Sequence, residues 1–75
     1  MDIKEFIQYF ADELDETGIE ELTPETDFKS LDDWSSLTAL SIIAMIDENY
    51  EKDITGADLR NSTTIQDLFD LVQSK

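Results

Sequence analysis

Apolar residues recur at helical spacing in three stretches of the chain. Ile3, Phe6, Ile7, Phe10, Ala11 and Leu14 follow the i, i+3, i+4, i+7, i+8, i+11 order that predicts an amphipathic first helix. Asp2 fits its N-cap and Gly18 its stop. Between Thr17 and Ser35 the helical period is lost. Thr23-Pro24-Glu25-Thr26-Asp27 is turn chemistry, and the interspersed Ile19, Leu22, Phe28 and Leu31 predict a long loop pinned onto the core rather than a free linker.

From Ser36 to Tyr50 the chain has neither Gly nor Pro, which predicts a second long helix. Ala39, Ile42, Ile43, Ile46 and Tyr50 fall on one face, the expected core stripe. Leu37, Leu40 and Ala44 lie on another, shared with Ser41 and Glu48. One buried stripe per helix suffices in a bundle this small, so the second apolar strip is surplus to folding. Thr55 to Leu59 predicts a short helix with Thr55 and Asp58 as a capping box. Thr63 and Gln66 form a second box, opening a last helix with Ile65, Leu68, Phe69 and Val72 facing inward. No alternating strand pattern or repeat intervenes. The expectation is an all-α four-helix bundle, three longer helices and one short, with a long loop between the first and second helices, as one domain over residues 1–75.

Composition narrows the chemistry. The 75 residues hold 19 Asp plus Glu against 5 Lys plus Arg, a formal charge of −14, with no Cys and no His. Disulfides, Cys/His zinc sites and Ser-His-Asp or Cys-His catalysis are thereby excluded. A core this small cannot enclose an elaborate active site. Nucleic acids and anionic membranes are polyanions that need clustered Lys or Arg, so neither is an expected partner, and no apolar run reaches membrane-spanning length. Partners should carry basic patches. The absence of Cys fits a reducing compartment, and a cytoplasmic monomer is the default expectation.

Three segments invite a functional reading. The run from Asp47 to Asp58 places oxygen-bearing residues like a calcium loop, but Lys52 stands where that loop needs Gly, Asp58 replaces the bidentate Glu, and its first residues belong to a helix. Adjacent Asp32 and Asp33 lack the desolvated concave setting that acid–base catalysis requires, and read as solvated surface. In Asp32-Asp33-Trp34-Ser35-Ser36-Leu37, a helix N-terminus accounts for Ser35 as N-cap and for the aspartates beside the positive dipole end. It leaves unexplained a second Ser, a Trp and the apolar strip that follows.

Ser36-Leu37 at the start of the second long helix, the loop before it and the stretch Thr38 to Tyr50 resemble an acyl carrier protein over nearly the whole chain; Ile54 and Thr63 to Leu68 resemble that family's approach to its last helix. The resemblance implies that Ser36 carries a 4′-phosphopantetheine arm supplied from coenzyme A. It implies a carrier and not an enzyme: acyl intermediates travel as thioesters in fatty-acid, polyketide or related synthesis. Partners would be a phosphopantetheinyl transferase and synthase or loading enzymes with basic surfaces. Asp32, Asp33, Leu37, Leu40, Ser41, Ala44, Asp47 and Glu48 would form the docking face, and Phe28, Ile43, Ile46, Ile54, Leu59, Ile65 and Leu68 an acyl-chain pocket, although apolar stripes of this kind are ordinarily core. The chain departs from the family's Asp-Ser-Leu in reading Ser-Ser-Leu; the register with Leu37 points to Ser36 rather than Ser35.

Ser35 in place of Asp also supports an alternative, an unmodified carrier-like adaptor that binds a basic partner through its acidic second helix. A nucleic-acid mimic is a third class, against which the apolar strip argues. The starting Met and the full set of helices suggest a standalone protein rather than a piece of a synthase. Self-repulsion at −14 yields a direct expectation: modest salt or millimolar magnesium raises the melting temperature, as scanning calorimetry would show.

Overall fold

The structure, a computed structural model, describes residues 2–75; Met1 of the expected 1–75 domain lies outside them. Four α-helices follow in order: α1 (Ile3–Asp12), α2 (Ser36–Tyr50), α3 (Gly56–Asn61) and α4 (Ile65–Ser74), with 3₁₀ turns at Ile19–Glu21 and Phe28–Ser30 in the connection between α1 and α2. No strand occurs among the described residues, only an isolated antiparallel bridge between Asp27 and Thr64. The all-α bundle expected from the apolar periods is the fold observed.

Each helix buries one stripe. Phe6, Ile7, Phe10 and Ala11 of α1 meet Ile42, Met45 and Ile46 of α2, Leu59 of α3, and Ile65, Leu68, Phe69 and Val72 of α4 in one core cluster. Aromatic side chains link these stripes. The Phe6 ring centroid lies 5.4 Å from Phe69 and 5.8 Å from Tyr50, Tyr50 lies 5.9 Å from Tyr9, and Phe10 lies 5.6 Å from Phe28, which lies 5.1 Å from Trp34. Burial and the nearby Glu5 carboxylate push the Tyr50 hydroxyl up to about 12, so it stays protonated.

The core face of α2 differs from the expected stripe. Met45, only 4% exposed, is buried with Ile42 and Ile46, while Ala39, Ile43 and Tyr50 are half-buried. Apolar residues surround so much of α2 that periodicity constrains its rotation weakly, and the buried face turns toward Met45. Leu37 and Leu40 remain 73% and 63% exposed; the strip read as surplus to folding is outside the core.

Two boundaries shift from those read in the sequence. The first helix stops at Asp12, well before Gly18, although Leu14 is still buried. Its last turn holds no basic residue, and Glu13, Asp15 and Glu16 crowd the negative end of the dipole, which disfavours continuation. Gly18 has extended backbone and leads into the first 3₁₀ turn, its N–H donating to Glu21 Oε2 at 3.0 Å. At α4 the capping box is Thr64 with Asp67, one residue beyond the expected Thr63 and Gln66: Asp67 N–H donates to Thr64 Oγ1, and Asp67 Oδ2 accepts from the N–H groups of Thr64 and Thr63. The Gln66 amide donates instead to Asp70 at 2.8 Å. The expected box at α3 forms between Thr55 and Asp58.

The long connection is anchored by backbone bonds as well as by Leu22 and Phe28. Ile65 and Gln66, in the first turn of α4, donate their N–H groups to Thr26 O at 3.1 Å and Pro24 O at 2.8 Å, which satisfies donors a helix start leaves open. At the other end, Asp33 Oδ2 accepts from Glu16 N–H at 2.9 Å and Thr17 N–H at 2.6 Å. Asp33 thus ties the exit of α1 to the approach to α2, and these backbone donors hold its carboxyl below the usual Asp range.

Two measurements check this packing. Ile46→Ala should cost about 3 kcal/mol in urea unfolding, the usual penalty for emptying a fully buried aliphatic site, whereas Leu40→Ala should change stability by less than about 0.5 kcal/mol. A carboxyl lowered by folding stabilises above its unfolded titration and loses that contribution as pH falls through its folded value. Asp33→Asn should therefore melt below wild type at pH 7, with the gap closing as the pH falls through the lowered titration of the wild-type carboxyl.

Candidate functional site

The start of α2 is set by Ser35. Its backbone is extended, its carbonyl accepts the Ala39 N–H at 2.9 Å, and its Oγ accepts the Thr38 N–H at 3.2 Å and pairs with Thr38 Oγ1 at 3.1 Å. Thr38 Oγ1 also donates to Asp33 O at 2.9 Å, so the cap is locked to the latch behind it. Ser35 is committed to structure. Ser36, at the first helical position, is exposed, and no partner holds its hydroxyl among the described residues. The N–H groups of Ser36 and Leu37 precede the first intrahelical bond and face the positive dipole end.

The charge pattern at this point is distinctive. The first turns of α1, α3 and α4 contain Glu5, Asp58 and Asp67, whereas that of α2 contains no acid. Ser36 opens onto a cleft of about 510 Å³ between α2 and α3. Trp34, Ala39, Leu40, Ile43 and Leu59 supply its apolar walls, and Lys29 and Arg60 are its only charges among the described residues. A second recess of about 390 Å³ is lined instead by Glu16, Thr17, Glu21, Leu31, Asp32 and Asp33.

The residues expected at a docking face divide. Leu37, Leu40, Ala44, Asp47 and Glu48 are exposed along α2 with Ser41 half-buried, and Asp32 is exposed in the preceding loop. Asp33 is occupied by its backbone bonds. The residues expected at an acyl-chain pocket divide as well: Ile43 and Leu59 line the cleft, while Phe28, Ile46, Ile54, Ile65 and Leu68 lie in the closed core. Sequence reasoning noted Trp34 beside the serines without giving it a role, and did not place Lys29 or Arg60 at the site. Two cations among five in so acidic a chain were a usable signal, but their convergence needs the fold, because Lys29 sits in the long connection and Arg60 in α3.

An exposed hydroxyl, free helix-start N–H groups and a cleft whose lining carries positive but no negative charge fit a covalently attached phosphodiester with a slender, mostly apolar tail. A family model described as a phosphopantetheine attachment site matches residues 4–72. No curated protein and no solved structure matches the chain. Domains of the matched family attach 4′-phosphopantetheine covalently, are not themselves catalytic, and work with transferase and synthase enzymes. No helix among the described residues is long and apolar enough to cross a membrane. With the match spanning nearly the whole bundle, the chain belongs to the phosphopantetheine attachment site family and has that family's carrier role.

Proposed function

We propose that Ser36 is the attachment residue and that the protein carries acyl intermediates for fatty-acid, polyketide or related biosynthesis. One contrast supports this reading above all: of two adjacent serines, Ser35 spends its hydroxyl on capping α2, while Ser36 holds its hydroxyl exposed and unpartnered at the first helical position. In the transferase reaction Ser36 Oγ would bond to the phosphorus that bears the pantetheine of coenzyme A, adenosine 3′,5′-bisphosphate would leave, and the hydroxyl proton would pass to the transferase. The phosphodiester formed lies beside free N–H groups at a helix start. Bound there, the arm supplies the thiol the chain lacks, and cargo is held on it as a thioester.

Leu37, Leu40 and Ala44 form a small apolar docking centre, with Ser41 beside them and Asp32, Asp47 and Glu48 as acidic flanks. Such a surface steers and orients basic partners without requiring tight binding, which suits a carrier that visits enzymes in turn. Ser35 keeps the cap that Asp gives in the family motif but contributes no charge to that surface. Ile43 and Leu59 mark the entrance through which an acyl chain would reach Phe28, Ile46, Ile54, Ile65 and Leu68. The protein acts as a cytoplasmic monomer in this reading.

Incubation of the apo-protein with coenzyme A and a broad-specificity phosphopantetheinyl transferase should add about 340 Da to the Ser36-containing peptide, the mass of the arm. The Ser36→Ala protein should gain nothing. Modification of Ser35, or no mass gain in the wild type, would overturn the assignment.

A further inference from the structure

Attachment at one of two adjacent serines requires that one be presented and the other withheld, and the hydroxyl protons at the start of α2 can be counted. A threonine hydroxyl has a single proton. That of Thr38 goes to Asp33 O at 2.9 Å, and a carbonyl can only accept. The 3.1 Å contact between Thr38 Oγ1 and Ser35 Oγ therefore has Ser35 as the donor. Ser35 Oγ also accepts the Thr38 N–H at 3.2 Å. One residue thus takes both the proton and a lone pair of Ser35. The relay continues beyond the helix, because the Asp33 side chain accepts the N–H groups of Glu16 and Thr17. Thr38 is half-buried at this junction, whereas Ser35 and Ser36 are exposed.

We infer that Thr38 is a positioning residue for the attachment reaction: by engaging Ser35 and the Asp33 carbonyl together, it holds the first turn of α2 so that Ser36 Oγ alone is presented to the transferase. This rests on the assignment of Ser36 above. Thr38 acts on the reacting hydroxyl through Ser35 and the backbone of the first turn. Helix ends fray, and without the Thr38 hydroxyl this end loses its tie to the loop while Ser35 regains a free proton beside Ser36. The same count makes Ser, rather than Asp, the matching residue at position 35. An ionised Asp only accepts; it would have no proton for Thr38 Oγ1 and would compete with the Asp33 carbonyl for the Thr38 proton. Leu40, Ala44, Asp47 and Glu48 of the docking strip lie farther along α2, so loss of the hydroxyl affects the turnover of docked carrier more than its docking.

The test measures steady-state transfer from coenzyme A by a broad-specificity phosphopantetheinyl transferase, with the carrier as the varied substrate. Wild type is compared with Thr38→Val, which keeps the branched shape without the hydroxyl, and with Thr38→Ser, which keeps the hydroxyl. Thr38→Val should lower kcat about fivefold, the factor equivalent to one net hydrogen bond, with KM changing less than kcat. Thr38→Ser should keep the wild-type kcat. A merely structural loss has a different signature, since a smaller folded fraction raises the apparent KM and leaves the saturated rate intact. Circular dichroism confirms the fold of each variant. An unchanged kcat in Thr38→Val, a change confined to KM, or a Thr38→Ser protein as impaired as Thr38→Val would overturn the inference alone. No mass gain on Ser36 in the wild type would overturn the attachment assignment and this inference together.

Discussion

The bundle is organised around an aromatic chain. Tyr9 and Tyr50 meet at one end, Phe6 bridges Tyr50 to Phe69 and Phe10, and Phe10 leads through Phe28 to Trp34. All seven aromatic residues of the sequence belong to it. Aromatic side chains bury the most area per residue and prefer offset or edge-on geometry, so a connected series fixes relative helix positions more tightly than aliphatic contacts alone. Its last member stands two residues before Ser36. The position of Ser36, the proposed attachment residue, is therefore set by the core itself, through Phe10, Phe28 and Trp34.

Around that core, the acidic surplus has two uses. Some carboxylates complete the backbone: Asp2, Asp33, Asp58 and Asp67 each accept main-chain N–H bonds at helix starts or loop closures. For Asp33, Asp58 and Asp67 those bonds hold the carboxyl below its ordinary range, so the negative charge stabilises the loops and caps it touches. Others, such as Asp47 and Glu48, are exposed along α2. The first turn of α2 is spared, and its cap is a neutral serine. A helix start without its own carboxylate keeps its donors and its dipole for an incoming anion.

Exposure on α2 follows from the same packing. A helix buries about one face, and the face chosen here runs through Ile42, Met45 and Ile46. Leu37, Leu40 and Ala44 are then left outward, and Ala39 and Ile43 are left at the border where α3 approaches. The short α3 covers only part of that border, and the cleft is what it leaves open.

Much of this was legible in the chain. The apolar periods of α1 and α4, the turn chemistry of the long connection and the Thr55–Asp58 box are local patterns, and local patterns survive into the structure because each acts within one or two turns. Ser36-Leu37 at a helix start, with an apolar strip beyond what folding needs, was likewise visible, and the carrier family it suggested is the one whose model matches residues 4–72. What the sequence could not determine were quantities set by distant partners. Gly18 did not end the first helix: acids crowd its end from Glu13 onward, and Asp33, far along the chain, takes the N–H groups of Glu16 and Thr17 before Gly18 is reached. The rotation of α2 that buried Met45 was undetermined, because a helix apolar on most sides has no strong preference until its neighbours arrive. The cleft belonged to the tertiary structure alone: Lys29 and Trp34 come from the long connection and Arg60 from α3, and only the packing of α3 against α2 and that connection gathers two of the few positive charges beside Ser36.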